Sequence, residues 1–143
     1  MPSKQSPMEI MRQFLAAFAY QDQESLIELL ASDIKFKFNC HEKIVSGESS
    51  QKASDLLMEE RSRWVQSRMD VKSWQSNHEG INVKFHVQYG EDIFTEYLEY
   101  VADITIQADV IKTLQMVCSE KESSGKLPIW EKTNMSFNNA SAS

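Results

Sequence analysis

The stretch Met11–Phe38, MRQFLAAFAYQDQESLIELLASDIKFKF, changes its hydrophobic period part-way and thereby decides the fold class. Ile10, Met11, Phe14, Leu15 and Phe18 recur at helical spacing and form one apolar stripe. Just upstream, Ser6-Pro7-Met8-Glu9 offers a capping serine, a proline at the first helical position and a glutamate three residues on. Asp22 can cap a second helix, whose apolar residues are Leu26, Ile27, Leu29 and Leu30. From Ile34 the period falls to two, with Ile34, Phe36, Phe38 and Cys40 on one face and Lys35, Lys37 and Asn39 on the other. The order is helix, helix, half-buried strand.

Beyond it, a short segment Lys43–Val45 leads through Ser46-Gly47 to a third helix, Ser50–Val65. Ala53, Leu56, Leu57 and Trp64 are its inward residues, while Asp55, Glu59, Glu60, Arg61 and Arg63 read as a solvated, mixed-charge surface. Strand-like runs follow at about Arg68–His78, Ile81–Tyr89, Ile93–Ile106 and Asp109–Cys118. Helices first and a meander of strands afterwards is an α+β pattern. The domain is expected over residues 1–120. Residues 121–143 read as a polar tail whose Leu127-Pro128-Ile129-Trp130 cluster docks on the domain and whose NNASAS ending is disordered.

Cross-strand chemistry suggests registers. A turn at Glu91-Asp92 sets Val83 opposite Tyr100, Phe85 opposite Leu98, Val87 opposite Glu96 and Lys84 opposite Glu99. A turn at Gln107-Ala108 sets Ile104 opposite Ile111, Tyr100 opposite Gln115, Leu98 opposite Val117 and Asp103 opposite Lys112. The register of Arg68–His78 stays open, because a one-residue slip decides whether Val71 or Trp74 faces the core.

The chain of 143 residues is large enough to bury a core, and its 15 basic and 21 acidic residues give a net charge of −6. That balance, without a basic stripe, argues against nucleic acid or an anionic membrane as partner. No apolar run is long enough for a bilayer span, and the first residues carry no secretion-signal pattern, so a cytoplasmic location is expected. Cys40 and Cys118 show no metal or redox spacing and read as two buried, reduced thiols. Asn134-Met-Ser and Asn139-Ala-Ser match the glycosylation pattern but carry little weight without a secretion signal.

The segment FLAAFAYQDQESLIELLASDIKF, the Ser46-Gly47 step before the third helix and the long final hairpin resemble the SnoaL-like and nuclear transport factor 2-like proteins over about Met8–Cys118. The resemblance implies three N-terminal helices packed on a strongly curved, mostly antiparallel sheet around a cone-shaped pocket, and frequently a homodimer. In the ketosteroid isomerases of this group, a tyrosine on the first helix, an aspartate near the end of the first strand and a protonated aspartic acid on a long strand do the chemistry. In this chain Phe14, Phe38 and Ala102 stand at those positions. A phenyl ring neither takes a proton nor donates a hydrogen bond to an enolate, so that mechanism is disfavoured.

The expected pocket is lined by Phe14, Phe38, Trp64, Trp74, Val87, Glu96, Tyr100, Thr113 and Gln115. Glu96, among Val87, Phe94 and Leu98, is the candidate acid or base, because desolvation raises a carboxyl pKa. Its bland alternative is a carboxylate at a strand end that reaches water. His41, His78 and His86 show no ligand spacing, so neither a metal site nor a cofactor is expected. Cys40 and His41, as neighbours on a strand, should point to opposite faces, a buried thiol and a surface imidazole. Tyr97, Val101, Leu114 and Met116 form an outer-face patch apolar enough to suggest a homodimer. Three functions fit: binding of a small hydrophobic molecule, an enzyme of cyclase, isomerase or hydrolase type using Glu96, or an assembly module whose pocket its own side chains fill.

Overall fold

The computed structural model describes residues 5–64, 66–76, 78–91, 94–121 and 136–139, the side chains of 91, 94–96, 121 and 136–139 excepted. Helix α1 (Pro7–Ala19) starts where the sequence says: Ser6 caps it, accepting the Glu9 amide at 3.2 Å, with Pro7 in the first turn. Asp22 caps α2 (Gln23–Leu29) through the Ser25 amide and hydroxyl. Those two bonds hold the Asp22 carboxyl below its usual range. Helix α3 (Ser50–Arg61) is capped by Ser49 and ends four residues before the expected Val65.

Among the described residues, seven strands follow the order β2-β1-β6-β5-β4-β3-β7 in one open sheet: β1 (Leu30–Cys40), β2 (Lys43–Gly47), β3 (Ser67–Ser76), β4 (Gly80–Glu91), β5 (Phe94–Gln107), β6 (Val110–Lys121) and β7 (Ser136–Asn139). The pair β1–β6 is parallel and the other neighbours are antiparallel. The α+β architecture is as expected. The strand β7, within the segment read as a tail, pairs along β3, whereas Leu127–Trp130 lies outside the described residues.

Both hairpin registers differ from the expected ones, with different consequences. In β4–β5, Val83 meets Ala102, Phe85 meets Tyr100, Val87 meets Leu98 and Tyr89 meets Glu96. This is a two-residue shift, so every side chain keeps its face. In β5–β6, Tyr100 meets Cys118, Ala102 meets Met116 and Ile104 meets Leu114, with a bulge between Thr105 and Ile106. That is a three-residue shift, an odd number, and it exchanges the two faces of β6. Leu114 and Met116 therefore lie in the core, while Gln115 is exposed and Thr113 points outward to the Thr105 hydroxyl. Turn and bulge share the cause. Ala108 and Asp109, both at positive φ (54° and 63°), form a two-residue loop of the mirror-image type usually signalled by Asn-Gly and move the register by two. The bulge adds the odd residue that exchanges the faces.

A second bulge, between Val71 and Ser73, resolves the open register of β3. Met69 and Val71 face the core before it, and Trp74 packs on the core after it, opposite Val83. Asp70 lies between Met69 and Val71, buried, with Arg68 at 3.1 Å.

The interior is filled by aromatic rings from α1, the end of α3 and the sheet. Phe18 stands 4.9 Å from Trp64 and 6.4 Å from Phe85, Trp64 stands 5.6 Å from Tyr100, and Phe85 stacks flat on Tyr100 at 5.0 Å. Each such pair adds ~0.5–1.5 kcal/mol beyond its area burial. Arg61, expected on the solvated face, is 3 % exposed. Its guanidinium donates to the carbonyls of Ala19 (2.7 Å) and Trp64 (3.0 Å) and lies 5.2 Å from the Trp64 ring. One cation thus ties the end of α1 to the backbone of Trp64.

Candidate functional site

Three elements meet where the aromatic interior reaches its edge. The cross-strand partners Val71, Phe85, Tyr100 and Cys118 form one row across β3, β4, β5 and β6 on the inner face. Cys40, one step beyond the Asn39–Val117 pair of β1 and β6, extends the row, and its thiol hydrogen-bonds to Cys118. Over the end of this row the last turn of α3 places Glu60.

A hydrogen-bond chain runs outward from the core. The Trp64 indole N–H donates to the Tyr100 hydroxyl at 3.1 Å, which leaves the phenol's own proton for the Glu60 carboxylate. The same Glu60 oxygen lies 2.9 Å from His41 Nε2, and its other oxygen is 3.7 Å from Arg63. Burial, and then the Glu60 charge, push the Tyr100 phenol far above its ordinary range, so it acts as a fixed donor. Cys118 is held below the usual thiol range by the hydrogen bond from Cys40 and then by Tyr100, against burial and the charges of Glu60 and Glu120. Cys40, the donor of that pair, is raised, chiefly by the same bond and then by burial.

His41 is placed by an unusual turn. His41 and Glu42 connect β1 to β2 with φ of 54° and 63°, two consecutive left-handed residues and neither a glycine. Such a position costs on the order of 1 kcal/mol or more in a non-glycine residue. Because His41 is in the turn and not the strand, the alternation rule fails. Its side chain is 19 % exposed and reaches Glu60, on the same side as Cys40, contrary to the expected surface imidazole.

A cavity of about 90 Å³ adjoins this chain, walled by Phe38, Val45, Leu56 and Met116 with Cys40, His41 and Glu60 among its polar members. An open groove of about 450 Å³ lies on the other side of His41, against Cys118, Ser119 and Glu120. A larger concavity, about 530 Å³, lies elsewhere, between α1 and α2, lined by Gln13, Tyr20 and Glu28 among others. Its Asp22 is committed to capping, and the linked acid–base groups lie at the smaller cavity.

No family model matches the chain, and no curated protein matches it by sequence. Solved structures do match. An uncharacterised cystatin-fold protein from Novosphingobium aromaticivorans superposes with a TM-score of 0.63 at 20% identity, over 78% of this chain and 97% of that one. The chain has the nuclear transport factor 2-like fold. An epoxide hydrolase-like protein of M. tuberculosis shares that fold (TM-score 0.63, 10% identity, 82% of this chain and 86% of that one). So does a putative polyketide cyclase from Xanthomonas campestris (TM-score 0.61, 14% identity, 78% and 88%).

Within this nuclear transport factor 2-like fold the expected site residues separate. Phe14, Phe38, Trp64, Val87 and Tyr100 face inward, but Phe14, Trp64, Val87 and Tyr100 are packed into the core, and Phe38 lines the small cavity. Trp74 is half-buried against the core. Thr113 and Gln115 are on the outer face, because of the β6 register. Ala102 faces the core beside Met116, so all three positions aligned with isomerase chemistry carry apolar side chains on the inner side. Glu96 lies opposite Tyr89, not Val87, and its side chain is outside the described residues. On the outer face His86 Nδ1 lies 2.6 Å from the Tyr97 hydroxyl and its Nε2 2.9 Å from Glu99, whereas His78 is solvent-exposed.

Sequence reasoning missed Glu60 and Arg61. A signal was present: Ala53, Leu57, Arg61 and Trp64 recur at four, four and three residues, so a charged residue occupies the apolar stripe of α3. The sequence has no local metal-ligand spacing, yet the fold gathers His41, Glu60 and Cys118 from a turn, a helix and a strand with donor atoms within 4.8 Å of one another.

Proposed function

We propose that the protein binds a small, mainly apolar molecule at the open end of its helix-and-sheet domain, with Glu60 taking the ligand's polar hydrogen. One observation carries this reading: a carboxylate only 13 % exposed, anchored by Tyr100 and His41, forms a wall of a cavity with an apolar side of Phe38, Val45, Leu56, Leu57 and Met116 and a charged rim of Lys43, Glu59 and Arg63. Volume limits the ligand. A space of about 90 Å³ equals roughly three waters at ~30 Å³ each, well below the ~300–1,000 Å³ of drug-sized sites. Only the end of a ligand enters, against Phe38, Val45, Leu56 and Met116, and the remainder lies outside.

If the ligand is turned over, Glu60 is the base and His41 its exchange route to water, since a carboxylate and an imidazole in contact can pass a proton. Glu60 would then take the part first given to Glu96. The test is a screen of small fluorinated aliphatic and aromatic fragments against chelator-treated protein by fluorine and methyl NMR. Shifts of the Val45, Leu56 and Met116 methyls, lost when Leu56→Trp fills the cavity, are expected. Shifts confined to the α1–α2 concavity would overturn the reading.

A second reading, assembly, has its own support: the aromatic rings fill the interior, and Val117, 48 % exposed, lies beside Val101 on the outer face. A homodimer through this face would use Tyr97, Val101 and Val117, because Leu114 and Met116 are committed to the core. Sedimentation equilibrium showing a monomer at micromolar concentration rejects it.

A further inference from the structure

The corner where β1 turns into β2 holds a nitrogen, an oxygen and a sulfur donor from three separate elements. His41 Nε2, a Glu60 carboxylate oxygen and Cys118 Sγ lie within 4.8 Å of one another, all half-buried, with the Cys40 thiol bonded to Cys118. We propose that this corner is a binding site for a divalent transition metal of the zinc class, with His41, Glu60 and Cys118 as its ligands. The inference goes beyond ligand binding and does not depend on it, although Glu60 serves both.

The donor set selects the metal. Magnesium and calcium take oxygen cages, whereas a thiolate, an imidazole and one carboxylate suit zinc. Zinc bonds of ~2.0–2.3 Å in a tetrahedron place donor atoms ~3.3–3.8 Å apart. His41 and Glu60, now 2.9 Å apart, open slightly as the metal replaces their hydrogen bond, and Cys118, within 4.8 Å of both, closes by at most about an ångström. Two of the three carriers allow this: a two-residue turn and the penultimate residue of a helix. The proton of the Cys118 thiol leaves to solvent on coordination.

The surroundings are those of a metal site. Ligating carboxylates are themselves hydrogen-bonded, and Glu60 receives the Tyr100 hydroxyl, in turn fixed by Trp64. The carboxylate and thiolate match the charge of a divalent ion. Three protein ligands leave a fourth position beside the cavity that His41 and Glu60 line, the arrangement of a zinc that holds water or a ligand atom.

Cobalt(II) is the probe, added to the full chain after chelator treatment, with the thiols kept reduced by a phosphine. Saturation at one equivalent is expected, with a thiolate-to-cobalt charge-transfer absorption that one equivalent of zinc abolishes. Cys118→Ser should lose the band. His41→Ala and Glu60→Gln should weaken cobalt binding roughly tenfold or more, since even outer-shell losses weaken metal sites ~10–100-fold. Cys40→Ser should keep the band, which separates the two thiols. No saturable band in the wild type, a band retained in Cys118→Ser, or cobalt affinity unchanged in His41→Ala overturns the proposal. The His41 variant alters only a turn side chain, so it remains informative if the Cys118 variant fails to fold. Fragment binding is measured on chelated protein, so its failure leaves the cobalt result standing, and the reverse.

Discussion

The aromatic interior and the polar corner at its edge share residues yet are held by different forces. Inside, Phe18, Trp64, Phe85 and Tyr100 are held by dense packing, and any lost ring leaves a void. At the corner, Glu60, His41, Cys40 and Cys118 are held by a few directional bonds and are only partly buried. Tyr100 belongs to both, its ring in the stack and its hydroxyl on Glu60. The difference teaches where function can be built: packing fixes the frame, and groups able to exchange protons or ligands gather where packing ends.

The comparison breaks most visibly from the inside. Phe18→Ala should lower stability by about 3–5 kcal/mol, measured by urea unfolding. A loss near 1 kcal/mol would mean the interior is less tightly packed than described. Gly80→Ala is expected to follow at about 2–3 kcal/mol. A Cβ there would lie 1.9 Å from the Ile104 carbonyl oxygen, backbone that only a separation of β4 from β5 can move.

Tyr100→Phe tests the shared residue. It keeps the stack but orphans the Trp64 N–H, a loss of about 1–2 kcal/mol. It should also change the alkaline limb of stability. Tyr100 keeps its proton in the folded state well above the unfolded value of ~10, so unfolding releases a proton above that pH. Its stabilisation is complete below pH ~10 and declines above it by up to ~1.4 kcal/mol per pH unit. The variant should show a shallower decline between pH 10 and 11, and an identical slope would reject the assignment.

At the corner, Glu60→Gln should change stability by under ~1 kcal/mol, because the amide oxygen still accepts from Tyr100, while fragment and cobalt binding fall. A large loss of stability would make Glu60 a structural group. The smallest expected effect is a gain. Replacing Ala108-Asp109 by Asn-Gly should add about 1 kcal/mol by removing two strained left-handed positions, read as a higher melting temperature.

Local chemistry was legible in the chain. Ser6 and Asp22 cap the helices they should, Ile34–Cys40 alternates, and the order of elements gives the α+β class. Those features depend on neighbours a few residues away, where period and capping act. The candidate site was not legible, since it depends on two turns and two bulges. Neither Ala108-Asp109 nor His41-Glu42 carries the usual mark of a left-handed loop, yet one moves the β6 register, whose face the adjoining bulge then exchanges, and the other aims His41.

By itself, then, the sequence determined the helices, the strands and an apolar face broad enough to close a core. Tertiary structure alone decided that Cys118, not Gln115, stands beside Tyr100, and that Glu60 and Arg61 turn inward. The reason is geometric: a strand's side chains alternate, so one residue of register, chosen by packing across the whole sheet, exchanges every inner group for an outer one.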